Sequence, residues 1–265
     1  PAPSPAKYFK PQGDPVEKLR SCAEVQRAMT SYVDNLSVQE ESCREIQRLC
    51  GADREVYPPF DGTIGGKVPH CATQEMTLAA DEAIRLHLPG EIFTALTRFW
   101  NETEFCAQAF AAMRVLAGGK RANNIGVAAE SQRQLNQPST GFDAFVGAMD
   151  GHPRSEPCMY NACEAIARLA EERPMNRDYM VRRGCVQAIV NALDMLPTSA
   201  PVVVAAARAL RTLSAGRSAL RPDPYTAQIM RVTRAFPSLV AGMTMIRENN
   251  PPVGFRAGKL KWAAT

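Results

Sequence analysis

Apolar positions in this chain recur at helical spacing, and one thirteen-residue arrangement of them appears four times. The copies are VQEESCREIQRLC at 38–50, FCAQAFAAMRVLA at 105–117, CMYNACEAIARLA at 158–170 and VVVAAARALRTLS at 202–214. Each opens on a bulky or apolar residue: Val38, Phe105, Cys158 and Val202. A small one follows at Ser42, Ala109, Ala162 and Ala206, then Ile46, Met113, Ile166 and Leu210. Leu49, Leu116, Leu169 and Leu213 complete the stripe. Offsets of 4, 8 and 11 share one face of an α-helix, so these are four versions of one amphipathic helix. The small position lets a neighbouring helix approach closely.

A second apolar signature precedes each copy. It reads Cys22/Val25/Met29, Ile92/Ala95/Leu96/Phe99, Phe142/Phe145/Val146/Met149 and Val186/Ile189/Val190/Leu193. A fifth instance, Phe236/Leu239/Val240/Met243, follows the last long copy. From the end of this signature to the next copy the gap is 9 residues in three repeats and 6 in the second. A constant gap means a constant turn, so the two helices form a repeated hairpin. Starts of the long helix lie 67, 53 and 44 residues apart. The last value suits a three-helix unit of about 40–47 residues, and the longer ones imply insertions. Repeated helices of this kind stack into a solenoid, and solenoids generally bind rather than catalyse.

The stretch NRDYMVRRGCVQAIVNALDMLPTSAPVVVAAARALRTLSA, residues 176–215, resembles an armadillo repeat. It has the Asn-Arg opening, a short first helix ending at Gly184, the second helix CVQAIVNAL and the third helix VVVAAARALRTLS. Residues 22–50 resemble the last two helices of another such repeat, and the likeness extends over about 22–50 and 90–245. A two-helix repeat of the HEAT type is the neighbouring alternative. The resemblance implies an all-α, right-handed armadillo-like solenoid of about four to five repeats. The corresponding organisation is a Pro-rich extended arm at 1–15, a repeat domain at 16–247 with an inserted loop at 51–70, and an irregular tail at 248–265. In the tail, Asn249, Asn250, Pro251, Pro252 and Gly254 stand where a fifth long helix is due. Ser37-x-x-Glu40 reads as a capping box opening the first long helix. Pro157 and Pro201 sit near the starts of long helices, and Gly51 and Gly118 follow their ends.

Hydrophobic residues make up 45% of the chain and aromatic ones only 7%, a balance suited to Ala, Leu and Val packing between helices. No apolar window is long enough to span a membrane. The net charge of +4 neither requires nor excludes nucleic acid, and no Lys-rich or Arg-Gly tract marks a specific nucleic-acid interface. The eight cysteines include Cys43 and Cys163 at the same repeat position. Cysteine there acts as a small apolar residue, which points to a reducing compartment. The cytoplasm is the first choice; an organelle matrix such as the mitochondrial one, after removal of a transit peptide, is the alternative. His70-Cys71 lacks companions for a metal site, so neither a metal nor a cofactor is expected.

No phosphate-binding loop, dinucleotide fingerprint, zinc-protease helix or nucleophile elbow occurs, and the chain reads as non-catalytic. In an armadillo array, positions on the third helices line a groove. Importin-type members carry Trp and Asn there, four residues apart. The matching positions here are Arg44/Arg48, Ala111/Val115, Glu164/Arg168 and Arg208/Thr212, so that array is absent. Three rungs carry arginine instead, and guanidinium forks suit carboxylates and phosphates. The expected site is therefore a groove of Arg44, Arg48, Arg168, Arg208 and Thr212 holding an acidic or extended segment of a partner protein, as in catenin-type armadillo proteins. Solvation of the helix face, or pairing with Glu41 and Glu164, is the plainer use of the same arginines. Trp100 and Trp262 are candidates for further partner contacts. Two functions compete: an interaction scaffold or adaptor, and a fixed subunit of a large multiprotein assembly, organellar or cytoskeletal, with its arms and loop packed on neighbours.

Overall fold

The structure is a computed structural model that describes residues 21–51, 74–118, 125, 141–171, 173–214, 227, 229–231 and 234–249. The arm at 1–15, most of the inserted loop, and Trp262 lie outside the described residues. Among the described residues there are helices and turns but no strand. The helices are α1 (Cys22–Ser31), α2 (Leu36–Leu49), α3 (Gln74–Arg85), α4 (Leu88–Phe99), α5 (Thr103–Leu116) and α6 (Phe142–Gly151). They continue as α7 (Glu156–Ala170), α8 (Pro174–Arg182), α9 (Cys185–Met195), α10 (Ala200–Ser214) and α11 (Ala235–Asn249).

The four thirteen-residue copies are α2, α5, α7 and α10, and the preceding signatures are α1, α4, α6 and α9. Each signature helix packs on the copy that follows it. In three hairpins the turn has four residues (32–35, 152–155, 196–199). In the second it has three (100–102), and α4 stops at Phe99, the last residue of its signature. That early stop accounts for the shortened gap. The long helices pack in order, α2 on α5, α5 on α7 and α7 on α10, while α1, α4, α6, α9 and α11 form a second row. Short α8 packs on α7, α9 and α10, as a first helix of a three-helix unit would.

Packing follows the pattern. Ser42, Ala109, Ala162 and Ala206 are all fully buried, as are Ile46, Met113 and Ile166. One apolar core runs from Cys22 to Ala235. Between the rows Phe110 meets Phe145 at 4.5 Å and Phe93 meets Phe142 edge-on at 5.6 Å. Such aromatic pairs add about 0.5–1.5 kcal/mol to their area burial. The middle helices α5 and α7 have long-helix neighbours on both sides, so twelve residues of each are buried. A helix enclosed on most sides has no need of a strongly polar face.

Helix ends differ in detail from the sequence reading. The cap of α2 is Asn35, whose side chain accepts from the Val38 N–H at 3.3 Å; Ser37 lies inside the helix. Ser37-x-x-Glu40 therefore does not act as a capping box. Asn35, two residues earlier, supplies the capping oxygen from its amide, and Leu36 becomes the first helical residue. Helix α11 runs through Asn249, two residues into the segment assigned to the tail. Pro251 restricts the residue directly before it, which leaves Glu248 and Asn249 free to stay helical. Gly51 and Gly184 take left-handed backbone (φ 87° at each) just past α2 and α8, where termination favours glycine.

Candidate partner-binding face

The long-helix row places the predicted arginines in three different settings. Arg44 on α2 is half-exposed and reaches Glu40 (3.6 Å), Glu41 (3.3 Å) and, on α5, Glu104 (3.8 Å). Arg48 pairs with Glu45 at 2.5 Å. Burial raises the Glu40 carboxyl above its ordinary value, against the pull of Arg44. Arg208 on α10 is a buried-pair cation: its Nη1 donates to both oxygens of Glu164 at 2.7 and 2.8 Å. Glu164 is only 2% exposed, against 27% for the Arg208 side chain. Thr212 spends its hydroxyl on the Arg208 and Ala209 carbonyls. Arg168 in the last turn of α7 is half-buried and makes no ion pair among the described residues.

Ala111, Val115 and Glu164, expected to face a groove, are buried. They lie on helices with close neighbours on both sides, so these rungs belong to the seams between helices. Arg44, Arg48 and Arg168 keep exposed or partly exposed surface on this row, whereas Ala111, Val115 and Glu164 do not.

Two side chains missed from sequence complete the picture. Arg114, in the last turn of α5, is 7% exposed, and its Nε has no hydrogen-bond partner. Its guanidinium carbon lies 5.7 Å above the ring of Tyr160 on α7. Burial lowers its pKa from the ordinary arginine value; Tyr160 raises it again and Arg168 lowers it further. Tyr160 is pushed up, by burial first and then by Glu164. On α7, Tyr160, Glu164 and Arg168 follow at i, i+4 and i+8, which puts them on one face. The missed signal is positional. Gln47 and Arg114 both stand nine residues into their copies, both are buried, and both reach the next long helix. Gln47 donates to Gln108 Oε1 at 2.9 Å, as Arg114 covers Tyr160.

Trp100 is exposed in the α4–α5 turn, with Gly151 beneath its ring. His152 fastens two turns together: Nε2 donates to the Trp100 carbonyl (2.8 Å), and Nδ1 lies 3.0 Å from Thr103 Oγ1. Phe93 and Phe105, its neighbours in sequence, are buried. A second exposed surface lies on α11, where Phe236, Val240 and Met243 are 57%, 62% and 53% exposed. Their counterparts Phe142, Met149, Val186, Val190 and Leu193 are buried, and Val146 is partly buried.

The free cysteines among the described residues are all buried. Burial pushes the thiols of Cys43 and Cys185 up to about 12 and that of Cys158 to about 11, far from a reactive thiolate. Cys22 is lowered instead, chiefly by its hydrogen bond with the Cys50 thiol. Among the described residues no group of three or more His, Cys, Asp or Glu is placed to hold a metal ion. No helix described is long and apolar enough to cross a membrane.

Comparison with protein-family models, with curated proteins and with solved structures finds no match to this chain. Function must therefore be read from the face itself.

Proposed function

We propose that the chain is an armadillo-like α-solenoid acting as a non-catalytic interaction scaffold, and that the row of long helices is its partner face. The observation that carries this reading is the side-by-side packing of α2, α5, α7 and α10. It strings equivalent residues of successive repeats into one surface, the arrangement by which repeat proteins recognise extended segments. The guanidinium groups on that surface make an acidic segment the fitting ligand. Arg44 and Arg48 are themselves exposed and hold carboxylates of their own helix, Arg44 in a pair worth about 0–1 kcal/mol and Arg48 with the largely buried Glu45. Such pairs exchange readily for a partner's carboxylates. Arg168 needs no exchange, and Arg208 stays with Glu164. Replacing Arg44 and Arg48 together by Glu tests the reading: capture of the native partner falls while helix content by circular dichroism is unchanged. Undiminished capture would remove the acidic-segment reading.

A second reading, a fixed subunit of a large assembly, is favoured by α11. Its exposed stripe of Phe236, Val240 and Met243 repeats a motif that elsewhere lies under a helix. A fixed neighbour covering that stripe would stay bound in high salt, whereas an acidic ligand on the arginines would be released. Under either reading the buried free thiols suit a reducing compartment, the cytoplasm first and an organelle matrix second.

A further inference from the structure

The geometry points to one oxyanion site within this face, formed by Arg114, Tyr160 and Arg168, that takes a single carboxylate side chain of an acidic peptide. The proposal rests on the long-helix row being the partner face.

Four observations meet at this place. First, the local charge does not balance. Arg114, Arg168 and Arg208 gather around one carboxylate, Glu164, and both oxygens of that carboxylate accept from Arg208. Arg114 and Arg168 are left without a carboxylate among the described residues. Second, Arg114 is nine-tenths buried with its Nε unsatisfied. A guanidinium is removed from water at high cost unless an anion or acceptors replace the lost hydration. Tyr160 supplies part of this, by cation–π attraction and a side-chain hydrogen bond to the guanidinium, but Nε is left without an acceptor. Third, Arg168 follows Glu164 by one turn on α7, which puts a second guanidinium on the face that carries Tyr160, and its charge opposes that of Arg114. Two like charges across the α5–α7 seam favour an anion placed between them. Fourth, Arg168 is only partly buried, so the seam opens to solvent on that side.

The chemistry selects the ligand. A carboxylate matches the planar fork of guanidinium and needs only one such point. A nucleic-acid backbone needs a track of free cations. Along the same row Arg44, Arg48 and Arg208 each face carboxylates of this chain, so among the described residues a nucleic-acid backbone would have to displace all three pairs, whereas a single carboxylate at Arg114 and Arg168 displaces none.

The test uses the full chain and a fluorescein-labelled oligoglutamate, read by fluorescence anisotropy at low salt. An oligoglutamine of equal length and a labelled oligothymidylate serve as controls. Wild type binds the oligoglutamate and not the oligoglutamine. Arg168→Met and Arg114→Met each weaken it by roughly tenfold or more, the scale of a lost charge-assisted hydrogen bond. Arg44→Met/Arg48→Met weakens it less than either. Arg168→Met removes a partly exposed side chain, so loss of binding there is not loss of fold. Arg114→Met removes a buried charge that has no ion pair of its own among the described residues, and its Tm stays within a few degrees of wild type without peptide. Three results would overturn the site: no binding of oligoglutamate by wild type, equal losses in all variants, or tighter binding of oligothymidylate. The scaffold reading fails separately, if a photo-crosslinker on the same face captures no partner while oligoglutamate still binds.

Discussion

The Arg208–Glu164 pair gives the sharpest stability experiment. Glu164 is 2% exposed and takes both of its hydrogen bonds from one nitrogen of Arg208, at 2.7 and 2.8 Å. Replacing Arg208 by Met leaves a carboxylate shut in a seam between helices. Breaking a fully buried pair costs about 3–5 kcal/mol. Arg208 is 27% exposed, and Arg114 still attracts the orphaned charge, so the cost falls to about 2–3 kcal/mol. Glu164→Gln keeps an acceptor and removes the buried anion, at about 1–2 kcal/mol. The double variant Arg208→Met/Glu164→Leu costs less than the sum, with a coupling of about 1.5 kcal/mol. At about 2–4 °C per kcal/mol, Arg208→Met lowers Tm by roughly 4–12 °C. Arg208→Lys keeps more than half of the stability, because a single nitrogen makes both contacts. Urea unfolding followed by circular dichroism measures all four, together with Glu164→Leu alone, which closes the cycle. Strict additivity, with a coupling under about 0.5 kcal/mol, would refute the pair as a structural unit.

Other outcomes follow from single sites. Ser42 occupies the small position that is alanine in the other three copies, and its buried hydroxyl has no hydrogen-bond partner. Ser42→Ala therefore raises stability by about 1 kcal/mol in the same urea assay. Ala162→Leu at the equivalent position overpacks the α5–α7–α10 contact and lowers it by about 1–3 kcal/mol. Gly184 is left-handed with open space where a Cβ would stand, so Gly184→Ala costs about 1–2 kcal/mol through backbone conformation alone. Burial raises the Glu91 carboxyl, with His87 pulling the other way. Its contribution is present below its ordinary value and is lost as pH rises through the folded one. Glu91→Gln consequently flattens the fall of Tm as pH rises above the ordinary glutamate value.

The helices of the repeat were legible because a single face governs them: offsets of 4, 8 and 11 fix which side is buried, and neighbours only reinforce it. The hairpin register was equally legible, since equal gaps demand equal turns. The face opposite the core was not. Ala111 and Val115 were assigned outward by analogy of position, yet long helices packing on both sides of α5 enclose them. Arg114 carries no mark in the sequence, since an arginine in the last turn of a helix is ordinarily exposed. Its burial depends on where Tyr160 of the next repeat falls, a distance between helices that spacing within one helix does not encode. The pairing of Arg208 with Glu164 was foreseeable only as one of two uses, because both residues are 44 apart in sequence and meet through stacking. Asn35 displaced Ser37 as the cap of α2 because both residue types cap well, and only the backbone chooses between them.

The claim that the long-helix row is the partner face is tested most directly by photo-crosslinking. p-Benzoylphenylalanine is placed at Thr212 on α10, at Gln187 on the exposed side of α9 and at Val240 on α11, one site per protein. The account predicts a protein partner captured from Thr212, lost on addition of oligoglutamate, and absent from Gln187. Capture from Val240 alone, resistant to salt and to oligoglutamate, would contradict it and establish α11 as the surface through which this chain is held.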